Sequence, residues 1–104
     1  MTWARVASVA ELPDGGGHMV EIGDNRVALF KVDETVYAIG DRCSHAEASL
    51  SEGELFDDEV ECPRHGAVFD VKTGAAKSLP ATTPVPIYVV RVDDGDVFLE
   101  VEES

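Results

Sequence analysis

Both cysteines of this 104-residue chain and two of its three histidines lie between positions 43 and 65. They form two mixed pairs, Cys43-x-His45 and Cys62-x-x-His65, with sixteen residues between His45 and Cys62. Three arrangements use two thiols and two imidazoles so placed. A Cys43–Cys62 disulfide leaves both histidines unexplained and sits poorly in a reducing compartment, where stable disulfides are rare. A structural zinc ion takes two Cys and two His in a tetrahedron, but zinc modules usually pair like ligands with like. A binuclear iron–sulfur cluster needs two protein ligands per iron. With only two cysteines available, two thiolates on one iron and two imidazoles on the other is the set that satisfies it.

The rest of the chain reads as strand and turn, with almost no helical periodicity. The runs "HMVEI" (18–22) and "RVALFKV" (26–32) flank the turn "GDN", and "VDET" leads into "TVYAIG" (35–40). Near the end, "PIYVVRV" (86–92) and "DVFLEVE" (96–102) flank "DDG", a second hairpin signal. In that last run Val97, Leu99 and Val101 alternate with Phe98, Glu100 and Glu102, which predicts one buried face. The middle of the chain holds only brief strand signals, "EVEC" (59–62) and "AVFD" (67–70), then the turn "VKTG". The proline-rich "SLPATTPVP" (78–86) reads as an extended loop. The fold expected is all-β: a single domain with a small antiparallel sandwich or barrel base from residues 1–40 and 85–104, and a lobe inserted at 41–84. "DGGGH" (14–18) is expected to be a loop tip, since no helix pattern follows it, and His18 beside it a solvated surface residue.

Twenty-one acids against eight bases give a net charge of −13. That argues against nucleic acid, whose phosphates call for clustered Lys and Arg, and against an anionic membrane surface. It suits solubility or steering toward basic protein partners. No apolar run approaches the length of a membrane span. Glu11 and Asp14 fall where a signal peptide would be apolar, so a cytoplasmic location is expected.

The segment C-S-H at 43–45, sixteen residues, then C-P-R-H-G at 62–66, resembles the motif C-x-H…C-x-x-H of the Rieske proteins. The resemblance extends over "SLSEGEL" after the first pair, "FDVKTG" after the second, and "SLPA", which is similar to the family's cover over its cluster. Small Rieske-type ferredoxins of bacterial ring-hydroxylating dioxygenases are the most similar members. The resemblance implies one [2Fe–2S] cluster, with Cys43 and Cys62 on the buried iron and His45 and His65 on the exposed one.

It also implies the tuning of that cluster. High-potential members carry a further cysteine in each loop, joined as a disulfide; Ala48 and Arg64 occupy those positions here. Those members also place a serine and a tyrosine after the second histidine, donating hydrogen bonds to sulfur. Ala67 and Phe69 stand there in this chain and cannot donate. Hydrogen bonds to sulfur stabilise the added electron, so a potential at the low end of the roughly −150 to +300 mV Rieske range is expected.

No catalytic residue is expected. After the cluster takes its ligands, His18 is the one histidine left for a mononuclear iron, which normally takes two and a carboxylate. No G-x-G-x-x-G follows a strand, so a flavin or nicotinamide site is not indicated. The expected role is a monomeric one-electron carrier between an NAD(P)H-dependent reductase and a terminal non-haem iron oxygenase. A Rieske ferredoxin of another pathway, such as iron–sulfur assembly, and a zinc or interaction module are the alternatives. Glu47, Glu52, Glu54, Asp57, Asp58, Glu59 and Glu61 crowd the stretch between the pairs, either as a solvated turn or as a rim for a basic partner.

Overall fold

The computed structural model describes residues 2–13, 15–42, 48–63, 66–77 and 83–101. Its strands are β1 (Thr2–Ser8), β2 (Gly17–Ile22), β3 (Asn25–Val32), β4 (Thr35–Gly40), β5 (Glu54–Phe56), β6 (Glu59–Glu61), β7 (Val68–Asp70), β8 (Ile87–Tyr88), β9 (Val90–Asp93) and β10 (Asp96–Val101). Single 3₁₀ turns at Val9–Glu11 and Leu50–Glu52 are the helical pieces among the described residues. None of the helices there is long and apolar enough to cross a membrane.

Three antiparallel sheets result, in the orders β1-β10-β9, β2-β3-β4-β8 and β5-β6-β7. Short turns set their registers. β2 pairs with β3 from Ile22↔Asn25 outward, and β3 with β4 from Val32↔Thr35. β9 and β10 close at Asp93↔Asp96 around Asp94 and Gly95, both at positive φ, +51° and +81°. Two positive-φ residues in a two-residue loop match the right-handed twist of the flanking strands.

β3 is the strand that organises the interior. Its residues Val27, Ala28, Leu29 and Phe30 are all fully buried, so both faces of the four-stranded sheet are covered. Alternation sends them in opposite directions. Val27 and Leu29 join one core with Ala7, Leu12, Val36, Val97 and Leu99. Ala28 and Phe30 join a second core with Ile39, Leu50, Val60, Cys62, Ala67, Phe69, Val71 and Val85.

The expected all-β sandwich is the observed architecture, and both hairpins fall where the sequence places them. Three local features differ. The N-terminal stretch, unassigned from sequence, is strand β1 on β10; a register shift between Arg5 and Ala7 breaks the alternation that would have revealed it. The run 86–92 is not one strand. Ile87–Tyr88 pairs with β4, Val90–Asp93 pairs with β10, and the chain changes sheets at Val89. His18 is the second residue of β2, opposite Leu29, and half-buried rather than fully solvated.

Candidate metal centre

Cys62 follows β6 directly, and its side chain is 1% exposed within the second core. Main-chain bonds close the loop it opens. The Cys62 N–H donates to the Ala67 carbonyl at 2.6 Å, and the Gly66 N–H donates to the Cys62 carbonyl at 3.1 Å. Gly66 takes φ +73°, a conformation open to glycine and poor for side chains with a Cβ. The loop therefore leaves β6 at Cys62 and returns to β7 within six residues. Arg64 and His65, between those bonds in sequence, lie outside the described residues.

Cys43 and His45 also lie outside the described residues, but both ends of their loop are placed. Arg42 and Ser49 form an antiparallel bridge, and the Leu50 N–H donates to the Asp41 carbonyl at 2.6 Å. Leu50 is fully buried in the same core as Cys62, and Ala48 packs against that core. The structure thus roots both ligand-bearing loops in one core and puts one of the four candidate ligands inside it. Ala67 and Phe69, singled out as missing hydrogen-bond donors, are both fully buried there.

Asp41 was not singled out from sequence. It is the one charged or polar residue fully buried among the described residues. Its carboxylate accepts from the Ser49 hydroxyl and from the Ser51 N–H, the latter at 2.9 Å. Nothing in the sequence marked it out among twenty-one acids except its place just ahead of the first pair.

The segment "FDVKTG" is an anchor for the proline-containing loop. Asp70 Oδ1 accepts from the Lys72 and Thr73 N–H groups at 2.7 and 3.2 Å, and the Gly74 N–H donates to the Asp70 carbonyl at 2.8 Å. The Val85 N–H then donates to the Gly74 carbonyl at 2.9 Å. Gly74 sits at φ +75°, and a Cβ there would strike the Val85 carbonyl oxygen. An Asx turn and a glycine thus fix the far end of the loop; residues 78–82 lie outside the described residues.

Acidic groups dominate the sheet next to the centre. Glu52, Glu54, Asp57 and Glu61 are exposed, Asp58 and Glu59 half-buried, and Glu47 outside the described residues. Pairing sets Glu54 opposite Glu61 and Glu59 opposite Asp70, so like charges face each other across the strands. Like charges directly opposite are destabilising. Lys72 approaches Asp58 at 3.6 Å, but solvent still reaches 47% and 39% of the two side chains, so the pair offsets little.

The residues present fit an iron–sulfur group. Two thiols and two imidazoles supply the required donor set, and Cys62 offers its sulfur in an apolar core beside the small side chain of Ala67. Soft thiolates in such surroundings suit iron–sulfur chemistry.

Comparisons with known proteins agree with this donor chemistry. A family model described as Rieske [2Fe-2S] domain matches residues 2–89. A 3-phenylpropionate/cinnamic acid dioxygenase ferredoxin subunit of Photorhabdus laumondii is 50% identical over 105 residues, covering 100% of this chain and 99% of that protein. The ferredoxin of carbazole 1,9a-dioxygenase from Nocardioides aromaticivorans superposes with a TM-score of 0.92 at 36% identity, covering 98% of this chain and all of that one. A chain from the complex of reduced oxygenase and oxidized ferredoxin in carbazole 1,9a-dioxygenase matches with a TM-score of 0.88 at 37% identity, over 98% of this chain and 95% of that one.

Proposed function

This chain belongs to the Rieske [2Fe-2S] domain family, and on that premise we propose that it is the ferredoxin component of a ring-hydroxylating dioxygenase system. It takes one electron at a time from an NAD(P)H-dependent reductase and passes it to a terminal non-haem iron oxygenase. When bound, a [2Fe–2S] cluster supplies the one-electron redox change. Cys43, Cys62, His45 and His65 are its ligands in this reading, the two cysteines on the inner iron and the two histidines on the outer one. The segment 41–84 is the lobe that holds it, and residues 1–40 and 85–104 form the base. Chemistry on the substrate belongs to the oxygenase, and this chain contributes binding, burial and charge.

The observation that carries the reading is the convergence of both loop bases on one apolar core containing Cys62. Burial of the core-facing side keeps water from the inner sulfur. Ala67 and Phe69 are buried in that core and neither carries a hydroxyl to donate, which supports a potential at the low end of the family's range. The acidic sheet gives the protein a docking face for basic surfaces of its partners, acting chiefly on encounter rate.

EPR of the purified protein, before and after dithionite, tests this. Silence in the oxidised state and a rhombic signal with average g below the free-electron value after reduction are expected, with two nitrogen couplings from His45 and His65. A colourless protein holding zinc in place of iron and sulfide would overturn it.

A further inference from the structure

We propose that Asp41 is a positioning residue for the cluster's first loop, tying the strand that leads into Cys43 to the turn that follows His45. The proposal rests on the ligand reading given above.

Burying a carboxylate is costly unless hydrogen bonds offset the lost water. Asp41 is fully buried, and each of its two carboxylate oxygens takes one donor from the far side of the loop. Oδ1 takes the Ser51 N–H, Oδ2 takes the Ser49 hydroxyl, and the main-chain carbonyl takes the Leu50 N–H. Ser49 Oγ in turn lies 2.9 Å from Ser51 Oγ. On its near side, the Asp41 N–H donates to the Arg26 carbonyl at 3.0 Å, locking the residue to β3. The bridge between Arg42 and Ser49 completes the closure.

Apart from the contact between the two serine hydroxyls, each of these bonds joins positions 41–42 to positions 49–51 or to the sheet. A plain apolar residue would serve the core at lower cost, so the buried acid stands where its bonding does something packing cannot. What it does is fix both ends of the short segment that carries Cys43 and His45. Cys43 follows Arg42 directly in sequence, and His45 is four positions ahead of Ser49. Short loops with fixed ends have few conformers, and groups that hold ligands from behind govern their orientation.

The second loop is built differently. The two bonds described across it join main-chain groups, Cys62 with Ala67 and Gly66 with Cys62. A side-chain substitution can therefore loosen the first loop and leave the second intact, which gives the proposal an asymmetric signature.

The test compares cluster-loaded wild type with Asp41→Asn, Asp41→Ala and Ser49→Ala. Pulsed EPR of the reduced proteins reads the two imidazole nitrogens separately, and release of iron to a chelator reads retention. Asp41→Ala is expected to shift one nitrogen coupling while the other stays at its wild-type value, and to speed iron release about tenfold or more. Ser49→Ala is expected to do the same to a smaller extent. Asp41→Asn keeps the shape: its amide oxygen accepts from Ser51 and its NH₂ donates to Ser49, so both couplings should match wild type. If Asp41→Ala fails to fold, Ser49→Ala carries the comparison. Unchanged couplings and release rates in the variants that fold, with a lowered melting temperature alone, would overturn the proposal. So would an Asp41→Asn protein that behaves as Asp41→Ala is expected to, since charge and not bonding would then be at work. A wild-type protein without iron and sulfide overturns the ligand reading first, and is told apart by that control.

Discussion

In the proposed carrier, two side chains in the second core bear most directly on the redox properties. Ala67 and Phe69 are fully buried in the core that holds Cys62, and neither offers a hydrogen-bond donor. Ala67→Ser and Phe69→Tyr should each raise the reduction potential, read by redox titration, because a donated hydrogen bond favours the more negative state of sulfur. The same hydroxyls should cost the metal-free protein about 1–3 kcal/mol, read by chemical denaturation, where they have no sulfur to serve. Gly74→Ala should destabilise by about 1–3 kcal/mol or more, since a Cβ would strike the Val85 carbonyl from a positive-φ position. Ala67 and Phe69 could be singled out in the sequence by the family resemblance, from their offsets from Cys62, and the structure buries both in the core that holds that cysteine. Asp41 could not be, because its importance comes from Ser49 and Ser51 folding back on it, and no spacing rule announces that contact.

Among the elements, the β5-β6-β7 sheet stands apart. Glu54 faces Glu61 and Glu59 faces Asp70, an arrangement that works against the sheet's own stability. Glu61→Lys turns one repulsive pair into an attractive one and should stabilise by about 0.2–1 kcal/mol. Added salt should raise the melting temperature of the wild type more than that of the variant. How far the elements could be read depended on whether a local period survived. β2, β3, β4 and β10 kept theirs and were found at nearly their true limits. β1 lost its period at the shift between Arg5 and Ala7, and β5 is three residues long, too short for any period to show. The run 86–92 kept a continuous strand pattern across a change of sheet at Val89, because each half needs the same kinds of residue.

The whole molecule carries a net charge of −13, and the acidic sheet concentrates part of it next to the cluster-binding loops. Electron delivery to a partner with a basic face should slow as salt rises, and slow further with Glu54→Gln and Glu61→Gln; stopped-flow reduction of the oxygenase by the reduced protein at several ionic strengths reads this. A rate indifferent to salt would remove the electrostatic role and leave the charge as a matter of solubility.

The strand β3, enclosed on both flanks, also bears on how the protein is made. It is a party wall between two rooms: Val27, Leu29, Val97 and Leu99 furnish one, and Cys62 stands in the other. A newly synthesised chain can finish the first room before any iron arrives, leaving the second to be completed by the delivered cofactor. Metal-free protein should then show slow amide exchange at Leu29 and Leu99 and fast exchange at Val60 and Phe69.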